Sequence, residues 1–246
     1  MTEPLFLGDL DSPVVGDEVT LTGDEGRHAA DVRRIKAGEI VLISDGAGTA
    51  VRGPVTAAGK ATITVHVDEV LHAPEPRVRY LAVQALPKGD RAEQAVESMT
   101  EVGIDQIIPW QAERSVVRWA PDRVERGLAR WRATAREAAK QCRRFRVPIV
   151  TAPLTTAELA LRIPQASLAL VLHESATTPL ASVDVPASGD VVFIVGPEGG
   201  LTDEEVAVFV GAGAHAVTIS DAVLRTSTAG VVALAQLQAL GQRAGE

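Results

Sequence analysis

The chain of 246 residues is 46% hydrophobic but only 3% aromatic and carries a formal net charge of −8, which suits one large or two modest domains with an aliphatic core. No apolar run reaches the length of a membrane span, and the start Met1-Thr-Glu-Pro lacks the basic opening of a signal peptide, so a cytoplasmic protein with no membrane partner is expected. The single Cys142 excludes an intramolecular disulfide framework, and the five histidines (28, 66, 72, 173, 215) show no ligand spacing, so no metal site and no metal hydrolase is expected.

Residues 1–72 alternate short apolar runs with turns. Glu18–Leu21, Ile40–Ile43 and Ala61–Val67 read as strands, punctuated by Asp45-Gly46, Gly48 and Gly59, and together they suggest a small barrel. Gly26–Gly38 reads as a helix or helical turn inserted among them, carrying His28, Arg33, Arg34 and Lys36. The proline-rich break His72-Ala-Pro-Glu-Pro-Arg77 places a domain boundary, giving domains 1–74 and 75–246.

Beyond it the rhythm becomes α/β. Tyr80–Leu86 is strand-like, and Arg91–Val102 is helical with Ala95, Val96, Met99 and Val102 at core spacing and Gly103 as its stop. A strand at Ile104–Ile108, a long helix from about Asp122 to Arg143, a strand at Val147–Val150, a short helix around Glu158 and a strand at Leu168–Leu172 follow. Two βα units close the chain, and the whole implies a largely parallel sheet. In the first, the apolar run Val191–Val195 meets Gly196-Pro-Glu-Gly-Gly200, and Thr202 with Glu205 forms a capping box that starts a helix. Glycines there let backbone amides approach a ligand, and the helix start adds N–H donors; a tight turn capped by its own threonine accounts for the same residues. In the second, the strand Ala216–Ser220 leads through Asp221–Arg225 to Thr226, Ser227 and Thr228, three possible caps of a helix running to about Leu240.

Charge is segregated along the chain. Residues 113–146 hold eleven Lys/Arg against four Asp/Glu, whereas residues 150–246 hold three against ten. A basic segment can bind phosphate whatever the global charge, although a solvated helix face explains some of its arginines.

Gly196-Pro-Glu-Gly-Gly200 after one strand and Leu224-Arg-Thr-Ser-Thr-Ala229 after the next resemble the RsmE family, uridine-N3 methyltransferases of 16S rRNA in the SPOUT superfamily. Lys88-Gly-Asp-Arg91, Glu101-Val-Gly103, Arg130-Trp131 and Glu137–Arg143 fall where the family has similar residues, while Ser98 and Asp221-Ala-Val-Leu-Arg225 depart from its usual pattern. The resemblance implies a PUA-like barrel followed by a SPOUT domain with a deep trefoil knot, a homodimer, S-adenosylmethionine as cofactor and 16S rRNA of the small ribosomal subunit as partner. Periodicity does not reveal a knot, and true knots are rare enough that only the resemblance brings one in.

It also implies site residues. Leu172, His173 and Glu174 after one strand, Gly196, Pro197, Glu198, Gly199 and Gly200 after the next, and Ile219, Ser220, Leu224, Arg225, Thr226, Thr228 and Ala229 after the third would hold the cofactor. Arg33, Arg34, Lys88, Arg91, Arg114, Arg136, Arg143, Arg144 and Arg146 would meet RNA. Arg225 is the expected catalytic cation, because N3 attacks only after losing its proton, and the uracil anion so formed must be stabilised. Glu198 is either a catalytic acid–base residue or a structural acid paired to a helix start; Asp221 and solvent are the other candidate bases. N3 lies on the pairing edge, so the base must be unpaired or flipped out.

A SPOUT methyltransferase acting at another RNA position fits the same motifs. A non-catalytic RNA-binding module leaves both loops unexplained. A Rossmann-type oxidoreductase would need a GxGxxG turn that is absent.

Overall fold

The structure, a computed structural model, describes residues 3–243. It divides into two compact units: the residues up to Glu75 together with Ala139–Val147, and Pro76–Ala138 together with the chain from Pro148 onward.

Six strands build the first unit: β1 (Leu5–Leu7), β2 (Glu18–Leu21), β3 (Ile40–Ser44), β4 (Thr49–Gly59), β5 (Thr62–His66) and β6 (Glu69–His72). They are ordered β1-β3-β4-β5-β2, with β6 also on β4. Only the β1–β3 pair is parallel. Alternate residues such as Val41 and Ile43, Ile63 and Val65 turn inward onto Phe6 and Leu21, the period-2 pattern of a half-buried sheet. The strands expected at 18–21, 40–43 and 61–67 are β2, β3 and β5. β4 is the longest strand and escaped the pattern, because Gly53, Pro54 and Ala57–Gly59 interrupt its β-branched run. Those residues let it bend and serve three partners. A Cβ at Gly53 would lie 1.7 Å from the His66 carbonyl, and the β4–β5 register shifts between Val55 and Ala57, a bulge that turns the strand.

The helical insert is α1 (Gly23–Arg27), continued by a π-helical turn at His28–Val32. The β3–β4 turn is closed by Asp45, whose Oδ1 accepts the N–H groups of Ala47, Gly48 and Thr49 at 2.7, 2.9 and 3.0 Å. Ala139–Val147 belongs with this unit: the Val147 N–H donates to the Gly46 carbonyl at 2.9 Å, and Lys140 pairs with Glu25 at 2.8 Å.

The second unit runs β7 (Val78–Ala85), α2 (Arg91–Val102), β8 (Gln106–Trp110), α3 (Val124–Cys142, as far as Ala138), β9 (Ile149–Val150), α4 (Thr156–Arg162), β10 (Leu168–Leu172), β11 (Gly189–Val195), α5 (Asp203–Gly211), β12 (His215–Val217) and α6 (Thr226–Arg243). The sheet order is β12-β10-β11-β7-β8-β9, every pair parallel. Val83, Ile108, Val171 and Ile194 meet α4 and α5 on one face, where Phe209 packs edge-on against Trp110 at 5.3 Å between ring centres. α6 packs on α2, β7 and β11, burying Ala233, Leu234 and Leu237. The approach of α6 to α2 is close: a Cβ at Gly230 would stand 2.8 Å from Met99 Sδ.

Along α3, Leu128, Trp131, Ala135 and Ala138 are buried at helical spacing while Arg126, Arg130, Arg132 and Arg136 face out. Several boundaries differ from expectation: β8 lies two residues later than Ile104–Ile108, β9 keeps only Ile149–Val150 of Val147–Val150, β7 begins and ends earlier than Tyr80–Leu86, and the helical insert covers 23–32 rather than 26–38. The last strand ends at Val217 rather than Ser220, because the Thr218 N–H turns to the Thr178 carbonyl and Ser220 Oγ accepts the Ala222 N–H in a turn. The last helix begins at Thr226, the first of the three candidate caps, and runs to Arg243 rather than about Leu240.

Candidate active site

β7 is the first strand of this sheet and has β8 on one side and β11 on the other, so strand order reverses there. In open parallel sheets such a reversal leaves a crevice beyond the carboxyl ends of the strands. Here the loops after β10, β11 and β12 meet around a cavity of about 450 Å³, within the range of small-molecule sites. Leu172, His173 and Glu174 enter from the first loop, Gly196 to Gly200 from the second, and Ile219, Ser220, Leu224, Arg225, Thr226 and Ala229 from the third. Val195, Leu201, Thr218, Ala222 and Val223 also line it and were not foreseen; each is a chain neighbour of a motif residue, which is the only signal that pointed to them. Thr228 is the one member of the expected set outside the lining. Its hydroxyl donates back to the Arg225 carbonyl at 3.1 Å, closing the first turn of α6.

α6 organises two of these loops from behind. The Thr226 hydroxyl donates to the Gly196 carbonyl at 2.8 Å, and Gln236 Nε2 donates to the Ile219 carbonyl at 2.9 Å. The glycine-rich loop turns back on itself through the Gly200 N–H and Pro197 carbonyl, 3.0 Å apart. Gly200 has φ +72°, a conformation that glycine reaches without strain.

The expected N–H donors at the start of α5 are partly spent. Thr202 Oγ1 accepts the Glu205 N–H at 3.1 Å and Glu205 Oε2 accepts the Thr202 N–H at 3.0 Å, the reciprocal capping box. The other oxygen of Glu205, a residue 4% exposed, accepts the Glu113 N–H at 2.8 Å. That anchor brings Arg114 to the cavity, where its guanidinium lies 3.1 Å from the Leu201 carbonyl and 3.4 Å from that of Gly199.

Of the two roles considered for Glu198, its contacts match those of a structural acid. Its Oε1 accepts the Lys88 N–H at 3.0 Å and Arg91 Nη1 at 2.9 Å. It is thus paired to the start of α2, not of the helix that follows it. Partial burial opposes ionisation, yet the N–H groups of Lys88 and of Glu198 itself and the Arg91 guanidinium outweigh it and hold the carboxyl below its ordinary range. A carboxylate so stabilised is a poor proton acceptor. Because its folded-state pKa is depressed, the tie is complete at neutral pH and is lost only as pH falls through that lowered value. An NMR titration of the Glu198 carboxyl is expected to show this low midpoint; one at or above the ordinary glutamate range would contradict it.

Three guanidinium groups therefore line one cavity, with unequal freedom. Arg91 and Arg114 are engaged by protein acceptors, whereas Arg225 is exposed and has no side-chain hydrogen-bond or ion-pair partner among the described residues. The other expected RNA-facing residues lie outside the lining. Lys88 is exposed in the β7–α2 loop and Arg136 is exposed on α3. Arg33, Arg34 and Arg143 are exposed in the first unit, the last two with φ of +54° and +59°. Arg144 is half-buried and its N–H donates to the Ala139 carbonyl. Arg146 departs most from the expectation: its guanidinium donates to the Ala47 and Ala73 carbonyls and pairs with Glu75. It holds the β3–β4 turn.

Among the described residues there is no metal-ligating cluster, and no helix is long and apolar enough to cross a membrane.

Comparison with known proteins places this geometry in context. Residues 74–238 match the RNA methyltransferase domain family and residues 21–68 match the RNA methyltransferase PUA domain family. Over 235 residues the chain is 43% identical to the ribosomal RNA small subunit methyltransferase E of Mycobacterium tuberculosis, covering 94% of this chain and 90% of that one. It is 32% identical to the protein of the same name from Synechocystis, covering 92% and 75%. Among solved structures, the ribosomal RNA small subunit methyltransferase E of Neisseria gonorrhoeae bound to S-adenosyl methionine superposes with a TM-score of 0.88 at 29% identity, covering 97% and 98%.

Proposed function

This chain belongs to the ribosomal RNA small subunit methyltransferase E family, S-adenosylmethionine-dependent methyltransferases of 16S rRNA, and we propose that it methylates N3 of a uridine at the cavity beyond β10, β11 and β12. The observation that carries this reading is the convergence of three strand-end loops on one cavity with the unengaged Arg225 at its wall. The residues fit the cofactor: Leu172, Ile219 and Leu224 offer apolar walls, and the glycine-rich loop offers backbone polar groups with no side chain over Gly200. When bound, S-adenosylmethionine supplies a methyl group made electrophilic by the sulfonium.

The chain's own residues do the rest. The N3 proton must leave before the nitrogen lone pair can attack, and the resulting charge spreads over O2, N3 and O4. The Arg225 guanidinium stabilises that charge by donating to a carbonyl oxygen. Glu198 holds Arg91 and the β7–α2 loop in place instead of taking the proton, which leaves Asp221, exposed on the third loop, or solvent as acceptor. Arg33, Arg34 and Arg143 bind RNA phosphates from the PUA-like unit, and the enzyme works in the cytoplasm as a homodimer. The α6 segment, packed on α2, β7 and β11 and tied to Gly196 and Ile219, closes a trefoil knot around the cavity.

The deciding experiment supplies the chain and S-adenosylmethionine to small ribosomal subunits from cells lacking the protein, followed by nucleoside mass spectrometry. A new N3-methyluridine is expected. Methylation of another base or of ribose would favour a SPOUT enzyme of different specificity, and no methylation with intact RNA binding would leave a binding module. Light scattering of a monomer at micromolar concentration would overturn the dimer.

A further inference from the structure

We propose that Gln84 is a positioning residue for the cofactor, acting through the Thr226 hydroxyl to fix the Gly196 carbonyl. The inference rests on the reading of the cavity as the S-adenosylmethionine site. Gln84 lies in β7, fully buried, in a strand whose neighbours Leu81, Ala82, Val83 and Ala85 are all apolar and buried. It does not line the cavity. Its Nε2 donates to the Ala85 carbonyl at 3.1 Å and to Thr226 Oγ1 at 3.0 Å, while its Oε1 is buried without a partner. An unsatisfied buried oxygen is destabilising, so packing alone does not account for an amide at this place.

Its effect on Thr226 does. The amide NH₂ can only donate, so it occupies a lone pair of the Thr226 oxygen and leaves the single hydroxyl proton for the Gly196 carbonyl, 2.8 Å away. Turning the amide over would set Oε1 against the Ala85 carbonyl, acceptor against acceptor, so the direction of the relay is settled by chemistry. Gly196 opens the loop after β11, and Thr226 is the first residue of α6, where the loop after β12 ends. One buried amide thus joins the central strand to two walls of the cavity.

The test is calorimetric titration of the full chain with S-adenosylmethionine, alongside steady-state kinetics on small ribosomal subunits. Gln84→Met and Thr226→Val should each weaken binding by about tenfold or more, and Thr226→Ser should restore it. The double variant should bind no more weakly than Thr226→Val alone, because both changes break one relay. For Gln84→Met, which lies outside the lining, KM for the cofactor should rise with kcat at saturation retained. A folded Gln84→Met chain with unaltered affinity, or losses that add in the double variant, would overturn the proposal. Should Gln84→Met not fold, Gln84→Glu decides: its carboxylate cannot donate, so affinity should fall as pH rises through the raised pKa of a buried acid, and a flat profile overturns the proposal. An unaltered chain that binds no S-adenosylmethionine would instead remove the cavity reading on which the proposal stands.

Discussion

Replacing Arg225 with alanine is expected to lower the single-turnover rate of methyl transfer by an order of magnitude or more at saturating RNA and cofactor. The reason lies in the inequality of the three cavity arginines. Arg91 donates to Glu198, and Arg114 donates to the carbonyls of Leu201 and Gly199, so both are largely spent on holding loops. Arg225 alone among them has an uncommitted guanidinium among the described residues, so its N–H donors are free to meet the charge that develops on uracil. RNA affinity should stay near that of the unaltered chain. Replacing the exposed Arg33 and Arg143 together should do the reverse, weakening RNA binding and flattening its salt dependence, since fewer counterions are released, with the chemical rate at saturation retained. Arg146 is left out of that pair because its guanidinium holds the Ala47 and Ala73 carbonyls, and its loss would read as instability of the first unit. Single-turnover assays at several salt concentrations separate the roles. A full chemical rate in the Arg225 variant would show that the side chain only shapes its loop.

Much of the second unit was legible because parallel strands buried on both faces read as continuous apolar runs. Leu168–Leu172 matches β10 residue for residue, and the buried Ala95, Val96 and Met99 with the stop at Gly103 marked out α2, although Val102, also expected at core spacing, is exposed at its end. The capping box of Thr202 and Glu205 was visible as a local motif. Its further reach to Glu113, 92 positions away, was not, because no local pattern records which distant backbone a second carboxylate oxygen will meet. The barrel was harder to read. β4 contains the residues that usually end a strand, and they are there because one strand bends to serve three partners.

The site was legible as loops and not as interactions. Strand-end position and glycine content led to Gly196–Gly200, the family resemblance added residues of Ile219–Ala229, and most of both stretches line one cavity. What each charged side chain does depends on its partner. Glu198 and Arg146 look like chemistry in a sequence, yet each is engaged in holding backbone: one the start of α2, the other a hairpin turn. Gln84 attracts no notice at all in an apolar strand, and only its contact with Thr226, 142 positions later, gives it a purpose.

Replacing Gly200 with valine is expected to weaken S-adenosylmethionine binding by roughly tenfold to a hundredfold, from the 1–3 kcal/mol that a strained backbone position costs. Space is not the cause, since a Cβ at Gly200 would meet nothing within 4 Å. The cause is φ +72°, a conformation that a β-branched residue adopts only under strain, so the loop would relax away from the geometry set by the Gly200 N–H and the Pro197 carbonyl. Gly199→Val should weaken binding by another route, because its Cβ would lie 3.1 Å from Arg114 Cβ and 3.2 Å from the Arg114 carbonyl. Gly213 supplies the control. It has φ +108°, nothing within 4 Å and a place after α5 outside the cavity lining, so Gly213→Val should lower thermal stability with cofactor affinity unchanged. Asparagine tolerates the left-handed region better than valine, and Gly200→Asn should therefore fall between the valine variant and the unaltered chain. Equal calorimetric affinities for the Gly200 and Gly213 variants would mean that the glycine-rich turn does not hold the cofactor.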